Sequence, residues 1–284
     1  MIVVTGATGQ LGRLVIEQLL TKVAPSEIVA AVRSPEKAAD LAAKGVTVRQ
    51  ADYTQPETLN TAFAGADKVL LISSSTVGQR VAQHRAVIAA AAKAGVGLIA
   101  YTSVLNARNS PLGLAAEHKE TEDMLKLSGI DHVLLRNGWY SENYAGAAPK
   151  ALQHGVVMGA AGEGRIASAA RADYAAAAAT VMTLESQAGK VYELAGDTSY
   201  SLSELAAEIG KQLGKEIKYV NLSQVEYKDA LLGFGLPAGL AALLADSDVG
   251  ASKGGLFDDS HDLSRLIGRP TTPIARTIAK VLKA

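Results

Sequence analysis

The chain has 284 residues, 48% of them hydrophobic, and its 28 Lys and Arg residues balance its 28 Asp and Glu residues. This length suits one large domain or a main domain with a small lobe. The balanced charge excludes a global field that attracts nucleic acid or anionic membranes, and the lack of cysteine excludes a disulfide framework. Without a signal peptide or an apolar run of about 18 residues, we expect a cytoplasmic protein with no membrane span and no nucleic-acid partner.

Short apolar segments alternate with longer amphipathic segments along the first part of the chain. The apolar segments are continuous, which is typical of strands buried on both faces. They are Ile2–Thr5, Ile28–Val32, Val46–Arg49, Val69–Ile72, Leu98–Thr102 and Val133–Leu135, and helices are predicted between them over residues 10–22, 35–44, 56–64, 77–95 and 114–128. This repeat predicts an α/β fold of the Rossmann type, a doubly wound parallel sheet covered by helices on both faces.

The pattern changes after Asn137, where glycine and alanine become frequent. The elements predicted next are an Ala-rich helix over residues 172–184, a strand at Val191–Ala195, a helix over 201–213 and a strand at Ile217–Val220. The C-terminal part is predicted to be mainly helical, interrupted by a packed surface loop at Asp246–Gly255. We interpret residues 1–136 as a Rossmann domain and residues 137–284 as a smaller α/β substrate lobe, with strands that can return to the main sheet.

A glycine-rich turn, Thr5-Gly6-Ala7-Thr8-Gly9-Gln10-Leu11-Gly12, follows the first strand and opens the first helix. A dinucleotide pyrophosphate needs a tight turn, a closely approaching backbone and a helix N terminus, and Gly6, Gly9 and Gly12 supply small residues at those places. Glycines alone are weak evidence. The preceding strand, the following helix and the continuing strand–helix repeat together predict a bound dinucleotide.

Position 33 indicates which dinucleotide binds. A site for NAD usually has an acidic residue near the end of the second strand, about 20 residues after the glycine turn. Here the sequence is Ala31-Val32-Arg33-Ser34, with no acid. A guanidinium can pair with a 2′-phosphate and stack on adenine, so NADPH is predicted over NADH. The alternative is that Arg33 is a solvated surface residue.

Polar residues also follow the third and fourth strands. Asp52 is a candidate acceptor for the adenine amino group, and Ser73, Ser74 and Ser75 are candidates for lining the ribose and nicotinamide. These positions fit because the carboxyl ends of parallel strands meet at one edge of the sheet. For the serines, an ordinary loop is an equal alternative.

Four stretches carry a resemblance that extends over the whole chain. They are TGATGQLG at residues 5–12, VRSPEK at 32–37, RNGWYSENY at 136–144 and SDVGASKGGLFDDS at 247–260. Together they resemble the NmrA-like atypical short-chain dehydrogenase/reductases and, within them, the bacterial type 2 NADPH:quinone oxidoreductases. The first motif is shared with a broad superfamily, so the narrower assignment rests on the third and fourth.

The resemblance implies two-electron reduction of a small aromatic quinone by NADPH, without flavin. It assigns the pyrophosphate to Gly6, Ala7, Thr8, Gly9, Gln10 and Leu11, the 2′-phosphate to Arg33, and the nicotinamide side to Ser73, Ser74 and Ser75. It also implies that Asn137, Gly138, Trp139, Tyr140, Ser141 and Glu142 close over the nicotinamide, with Arg171 reaching in from the second lobe. Related members reduce dyes or only sense the dinucleotide. A dye or enone reductase and a non-catalytic NADP(H) sensor therefore remain alternatives.

The helix after the fifth strand lacks the Tyr-x-x-x-Lys pair with which the wider short-chain family protonates its product. No tyrosine lies four residues before His118 or Lys119. Ketone reduction yields an alkoxide that needs a proton during hydride transfer, whereas a quinone yields a resonance-stabilised anion that solvent or a weak donor can neutralise. The missing acid favours a quinone, unless Tyr101 or Tyr140 replaces it.

Four residues are candidates for catalysis. Trp139 and either Tyr140 or Tyr144 are predicted to stack on a flat ring, and Asn143 to form a hydrogen bond with a quinone oxygen. His118 is a candidate for steering a proton or fixing a ribose. The alternatives are that the aromatic residues pack the core and that the histidine is structural. The five histidines lack metal-ligand spacing, so no metal is predicted. The oligomeric state stays open between monomer and homodimer.

Overall fold

The computed structural model describes residues 1–283, and over that range the chain forms nine strands and thirteen α-helices. The strands are β1 (Ile2–Thr5), β2 (Ile28–Val32), β3 (Thr47–Gln50), β4 (Lys68–Leu71), β5 (Leu98–Val104), β6 (Asp131–Asn137), β7 (Val156–Gly159), β8 (Val191–Leu194) and β9 (Lys218–Asn221). The helices are α1 (Gln10–Leu19), α2 (Ala39–Ala43), α3 (Pro56–Ala62), α4 (Arg80–Lys93), α5 (Ala115–Leu127), α6 (Ser141–Ala145), α7 (Ala148–His154), α8 (Arg171–Thr183), α9 (Leu202–Leu213), α10 (Gln224–Gly233), α11 (Ala238–Ser252), α12 (Asp262–Ile267) and α13 (Ile274–Leu282).

Seven strands form one parallel sheet in the order β3-β2-β1-β4-β5-β6-β8. Val4 of β1, for example, pairs with Ala30 on one side and with Leu70 on the other. Strands β2 and β3 extend the sheet on one side of β1, and β4, β5, β6 and β8 extend it on the other side, so the order reverses between β1 and β4. In open sheets of this kind, ligands bind beyond the carboxyl ends of the strands at such a switch point. The predicted α/β fold of the Rossmann type is confirmed.

Apolar side chains fill the space on both faces of the sheet. On one face, Val4 and Ala178 belong to a cluster in which α1 packs against α8. On the other face, Val3 and Leu125 belong to a cluster that joins the sheet to α4 and α5. Strands covered on both sides are apolar along most of their length, which is why β1, β2, β4 and β5 appear as apolar runs in the sequence. The edge strand β3 has no fully buried residue.

A smaller lobe is built around a two-stranded parallel sheet of β7 and β9. Its own apolar core includes Ile166, Leu205 and Ile278. The chain leaves this lobe twice: first where α8 packs on α1 and β8 pairs with β6 at the edge of the main sheet, and again where α12 packs on α8 and β8. The second half of the chain therefore contributes to both parts of the molecule.

The surface loop expected at Asp246–Gly255 is wrong, because α11 continues to Ser252. The alanine- and leucine-rich sequence before Asp246 propagates the helix. Gly250 is buried within it, where a Cβ would overlap the side chain of Leu112. This glycine therefore reflects close packing between the helix and the segment before α5.

Candidate active site

The turn after β1 has the backbone geometry that an anion requires. Gly6 adopts a φ of +58°, and the N–H of Gly9 donates to the Gly6 carbonyl at 2.9 Å. A Cβ at Gly12 would overlap that carbonyl oxygen. No side chain within residues 1–283 caps the N terminus of α1, so its first N–H groups are free to bind a phosphate. Of the remaining turn residues, Ala7 and Leu11 are buried, Thr8 is half-buried and Gln10 is exposed. The turn fits a dinucleotide pyrophosphate.

Arg33 follows the last residue of β2 and has an exposed side chain. It forms no ion pair with any residue in the described part of the chain, which leaves its guanidinium available to a 2′-phosphate. Asp52, by contrast, accepts hydrogen bonds from the backbone N–H and the hydroxyl of Thr54, at 2.9 and 2.7 Å. The backbone bond in particular lowers the pKa of Asp52. The charge of Arg33 contributes to the same shift, so Asp52 is an ionised hydrogen-bond acceptor near that guanidinium.

The serines after β4 are positioned through their backbone. The N–H of Ser73 donates to Oγ1 of Thr102 at 2.9 Å, and the N–H of Ser74 donates to Nε2 of His84 at 2.9 Å. Ser73 and Ser74 are half-buried and Ser75 is exposed. The direction of this loop is therefore set by β5 and α4.

A pair of charged residues that sequence reasoning missed fixes the same loop. Arg80 is 6% exposed and forms an ion pair with Glu117 at 3.2 Å. Arg80 also donates from Nε to the carbonyl of Ser74 at 2.8 Å, and Glu117 accepts from the N–H of Gly78 at 3.0 Å. Their positions on separate helices explain why no local motif revealed them.

Asn137 ends β6 between β5 and β8 and is 6% exposed. Its Oδ1 is the one buried side-chain polar atom without a hydrogen-bond partner in residues 1–283. A buried acceptor left unsatisfied costs about 1–3 kcal/mol, so this atom indicates a ligand that carries a donor. The amide group of a nicotinamide is such a donor. Next along the chain, the N–H of Gly138 donates to the Leu194 carbonyl at 2.7 Å, and a Cβ at Gly138 would lie 3.1 Å from the Tyr174 hydroxyl.

The two aromatic residues after Gly138 pack against different cores. Trp139 packs against the core of the smaller lobe and also lines a small cavity. It therefore combines core packing and site lining, the two alternatives expected from the sequence. Tyr140 packs against the main core, edge-on to Tyr174, and the guanidinium of Arg171 lies 4.6 Å from its ring centroid. Burial raises the pKa of Tyr140, which makes its hydroxyl a poor acid.

Asn143 is exposed on α6, and its Oδ1 accepts a hydrogen bond from Arg171 at 3.0 Å. With the amide oxygen accepting from Arg171, the amide nitrogen remains available as a donor. Glu142 accepts from the N–H of Arg171 at 3.1 Å at the start of α8. Ser141 is buried and bonded through its hydroxyl to Ser168 at 2.9 Å, so its side chain is occupied within the protein.

His118 is buried beside Tyr101, which belongs to the core of the main sheet, whereas Trp139 packs against the core of the smaller lobe. His118 is 4% exposed, and its Nδ1 is 2.7 Å from the hydroxyl of Tyr101. Burial lowers the pKa of His118 well below its usual value, and the charge of Arg80 lowers it further. Burial likewise raises the pKa of Tyr101. Both groups are therefore neutral, and their burial favours the structural alternative for His118.

Helix α11 lies along two cavities that the sequence did not predict. A cavity of about 780 Å³ is lined by residues that include Ser75, Leu114, Glu117, Leu240 and Leu243. A cavity of about 50 Å³ is lined by residues that include Trp139, Asn143, Tyr144, Tyr227 and Asp248. The first has the size of a small-molecule site. The available signal in the sequence was the presence of two acids, Asp246 and Asp248, in an otherwise uncharged helix.

Residues 1–283 provide neither a metal-binding cluster nor a membrane-spanning helix. No cluster of three or more His, Cys, Asp or Glu side chains with the geometry to hold a metal ion occurs there. None of the helices in this range combines the length and the apolar character needed to cross a bilayer.

The chain is similar to known proteins along its whole length. The profile of a family described as NAD(P)H-binding matches residues 6–184. Quinone oxidoreductase 2 of Escherichia coli is 63% identical over 279 residues, which cover 98% of each chain. The crystal structure of an NADPH-dependent quinone oxidoreductase of Escherichia coli with NADPH has a TM-score of 0.97 at 62% identity and covers 99% of this chain and 100% of that chain. Triphenylmethane reductase of Citrobacter sp. with NADP(H) has a TM-score of 0.95 at 39% identity and covers 99% of each chain. The resemblance predicted from the sequence is confirmed.

Proposed function

This chain belongs to the NAD(P)H-binding family, and we propose that it is an NADPH-dependent quinone oxidoreductase that works without flavin. The observation that carries the proposal is the mainly apolar cavity of about 780 Å³ beside Ser75. A flat, uncharged acceptor in this cavity would lie next to the loop assigned to the nicotinamide. The similarity to quinone oxidoreductase 2 of Escherichia coli over 98% of the chain supports the same acceptor.

The dinucleotide binds along the carboxyl ends of the strands and supplies a hydride when bound. Residues 6–11 hold the pyrophosphate through backbone N–H groups, and Arg33 selects NADPH by pairing with the 2′-phosphate. Ser73–Ser75 line the ribose and nicotinamide, and the unsatisfied Oδ1 of Asn137 accepts from the carboxamide. Residues 138–142, with Arg171, close this side of the site.

Asn143 and Trp139 line the smaller cavity of about 50 Å³ rather than the larger one, and we propose that they contact the end of the acceptor that reaches this smaller cavity. The amide nitrogen of Asn143 donates to a quinone oxygen, and the bond from Arg171 keeps the amide in that orientation. Trp139 offers an aromatic surface to the flat ring. Since His118 and Tyr101 are bonded to each other in the core, neither replaces the missing Tyr-x-x-x-Lys pair, which favours a quinone over a simple ketone.

The remaining proposals concern the two parts of the chain, the cellular location and the oligomeric state. We propose that residues 1–136, completed by α8 and β8, bind the dinucleotide and that the rest of the chain binds the acceptor. We also propose that the protein acts in the cytoplasm on small aromatic quinones, as a monomer or homodimer. Light scattering of the purified protein distinguishes these two oligomeric states.

NADPH oxidation by purified, flavin-free protein tests the function. We expect rapid oxidation in the presence of para-benzoquinone, little without it, and a slower reaction with NADH. Turnover with triphenylmethane dyes or enones in place of quinones would reassign the acceptor. Tight NADPH binding without turnover on any of these acceptors would identify a dinucleotide sensor and overturn the proposal.

A further inference from the structure

The cavity of about 50 Å³ brings a buried carboxyl group to the acceptor side of the cleft. Asp248, on α11, lines this cavity together with Asn143 and Trp139. Its volume is comparable to that of one or two water molecules, so it can take up a quinone oxygen but not a whole quinone. An oxygen that enters it to reach the amide of Asn143 comes next to Asp248.

Asp248 has few interactions to stabilise a negative charge. It is 4% exposed, accepts from the N–H of Ala160 at 2.9 Å and from the hydroxyl of Tyr144 at 3.4 Å. Within residues 1–283 no Lys, Arg or His side chain forms an ion pair with it. Burying a carboxylate without a cation is costly. Burial therefore raises the pKa of Asp248 to about 6, although the bonds from Ala160 and Tyr144 lower it.

The other titratable groups that face Asp248 are tyrosines. Tyr144 lies on α6, Tyr219 on β9 and Tyr227 on α10, and Asp248 contributes to raising the pKa of each. For Tyr219 burial is the main cause and the pKa rises to about 12. Phenols of this kind are weaker acids than the carboxyl group they surround. Asp248 is the acid of this cavity.

Reduction of a quinone to a hydroquinone needs one hydride and one proton. The hydride brings two electrons and forms one new bond to hydrogen, which leaves a hydroquinone anion. Asn143 can stabilise that anion by a hydrogen bond but has no proton to release. Solvent can neutralise that anion, but a carboxyl group placed at the quinone oxygen would deliver the proton faster.

We propose that Asp248 is the proton donor for quinone reduction, a role that rests on the proposed function. The O–H bond of the Asp248 carboxyl breaks as a new O–H bond forms on the quinone oxygen held by Asn143. The electron pair stays on the carboxylate, which solvent reprotonates before the next turnover. Tyr144 stabilises the transient carboxylate through its hydroxyl.

The test is the pH dependence of quinone reduction by the full-length protein and its Asp248→Asn variant. In the wild type, kcat is expected to be highest when Asp248 is protonated and to fall as the pH rises through its pKa. The variant is expected to lose about 100-fold in kcat, as for loss of a general acid, to show no such titration and to retain NADPH affinity. Asp229→Asn, a change of an exposed acid on α10, is expected to match the wild type in all three measurements.

An acceptor that needs no proton separates proton donation from structural damage. A triphenylmethane dye cation takes up hydride to give a neutral product, so Asp248→Asn is expected to spare its reduction. The infrared C=O band of a protonated carboxyl group is expected to disappear in this variant, which reports on Asp248 independently of activity. An unchanged pH profile in Asp248→Asn, or equal losses with dye and quinone, would overturn the role of Asp248. Failure of the wild type to reduce any quinone would instead overturn the proposed function.

Discussion

The dinucleotide side and the acceptor side of the cleft are built in different ways. The dinucleotide side consists of strand ends, with the glycine turn after β1, Arg33 after β2 and the serine loop after β4. The acceptor side is assembled from α6, α10 and α11, and its hydrogen-bonded pair Tyr144 and Asp248 is separated by 104 residues. Backbone groups dominate the first region and side chains the second. A change of acceptor therefore requires side-chain substitutions on α6, α10 and α11, whereas a change from a dinucleotide to another class of cofactor requires another backbone.

The largest expected effect is on the backbone of the dinucleotide side. Gly12→Ala forces a Cβ against the Gly6 carbonyl, and such overpacking typically costs about 1–3 kcal/mol. If the strain appears on binding, the affinity for NADPH falls by up to about 100-fold, measured by fluorescence titration. Gly233→Ala is the matched control, because a Cβ there has no neighbour within 4 Å. Unchanged NADPH binding by Gly12→Ala would show that the turn is not the pyrophosphate site.

Substitution of Arg33 tests whether this side chain determines the preference for NADPH over NADH. Arg33→Ala is expected to weaken NADPH binding by about 10- to 100-fold, as for loss of a charged hydrogen bond, and to leave NADH binding nearly unchanged. The matched control is Arg85→Ala, since Arg85 is 68% exposed and lies on α4. Equal losses for the two dinucleotides would remove Arg33 from the 2′-phosphate site.

On the acceptor side, a smaller and more selective effect is expected. Asn143→Ala removes one neutral hydrogen bond, worth about 0.5–1.5 kcal/mol, so the KM for quinone is expected to rise about 3- to 10-fold. Steady-state kinetics with varied quinone, combined with an NADPH titration, separates this from a cofactor effect. Asn109→Ala, at an exposed position outside the cleft, serves as control. A loss of NADPH affinity without a change in KM would place Asn143 on the dinucleotide side.

A separate effect, on folding and not on binding, is expected in the pH dependence of stability, where the two regions act in opposite directions. Burial lowers the pKa of His84 to about 3 and that of His118 well below its usual value. Below about pH 6.5 the unfolded chain binds protons that these histidines cannot, so the free energy of unfolding falls by about 1.4 kcal/mol per pH unit for each. The pKa of Asp248 is about 6 in the folded protein and 3.8 as its ordinary value. Between about pH 6 and pH 3.8 the folded protein therefore binds a proton at Asp248 that the unfolded chain does not, which offsets part of the loss of stability.

Urea unfolding at a series of pH values measures this balance. Asp248→Asn is expected to make the loss of stability between about pH 6 and pH 4 steeper, because it removes the opposing contribution. The same slope in the variant and the wild type would mean that Asp248 is not protonated in the folded protein near pH 6.

The sequence was most informative where structure is local. The apolar runs predicted β1, β2, β4 and β5 because strands covered on both faces need them, whereas β3 at the sheet edge is partly exposed. The glycine turn and Arg33 could be identified because each directly follows a predicted strand. The course of α11 was mispredicted, since Gly250 indicates a loop until Leu112 is known to pack against it. Asp248 could not be assigned to the acceptor side, because its neighbours Tyr144 and Ala160 come from distant segments.

The return of α8 and β8 to the main sheet determines where the molecule can be divided. A fragment that stops after residue 136 would leave the edge of β6 unpaired and would expose the face of α1 that α8 covers. Unpaired edges and uncovered apolar helices promote aggregation. The nucleotide-binding half is therefore not a portable module that can be excised and fused elsewhere. A functional transplant would have to carry the chain through β8, and with it the segment that faces the acceptor.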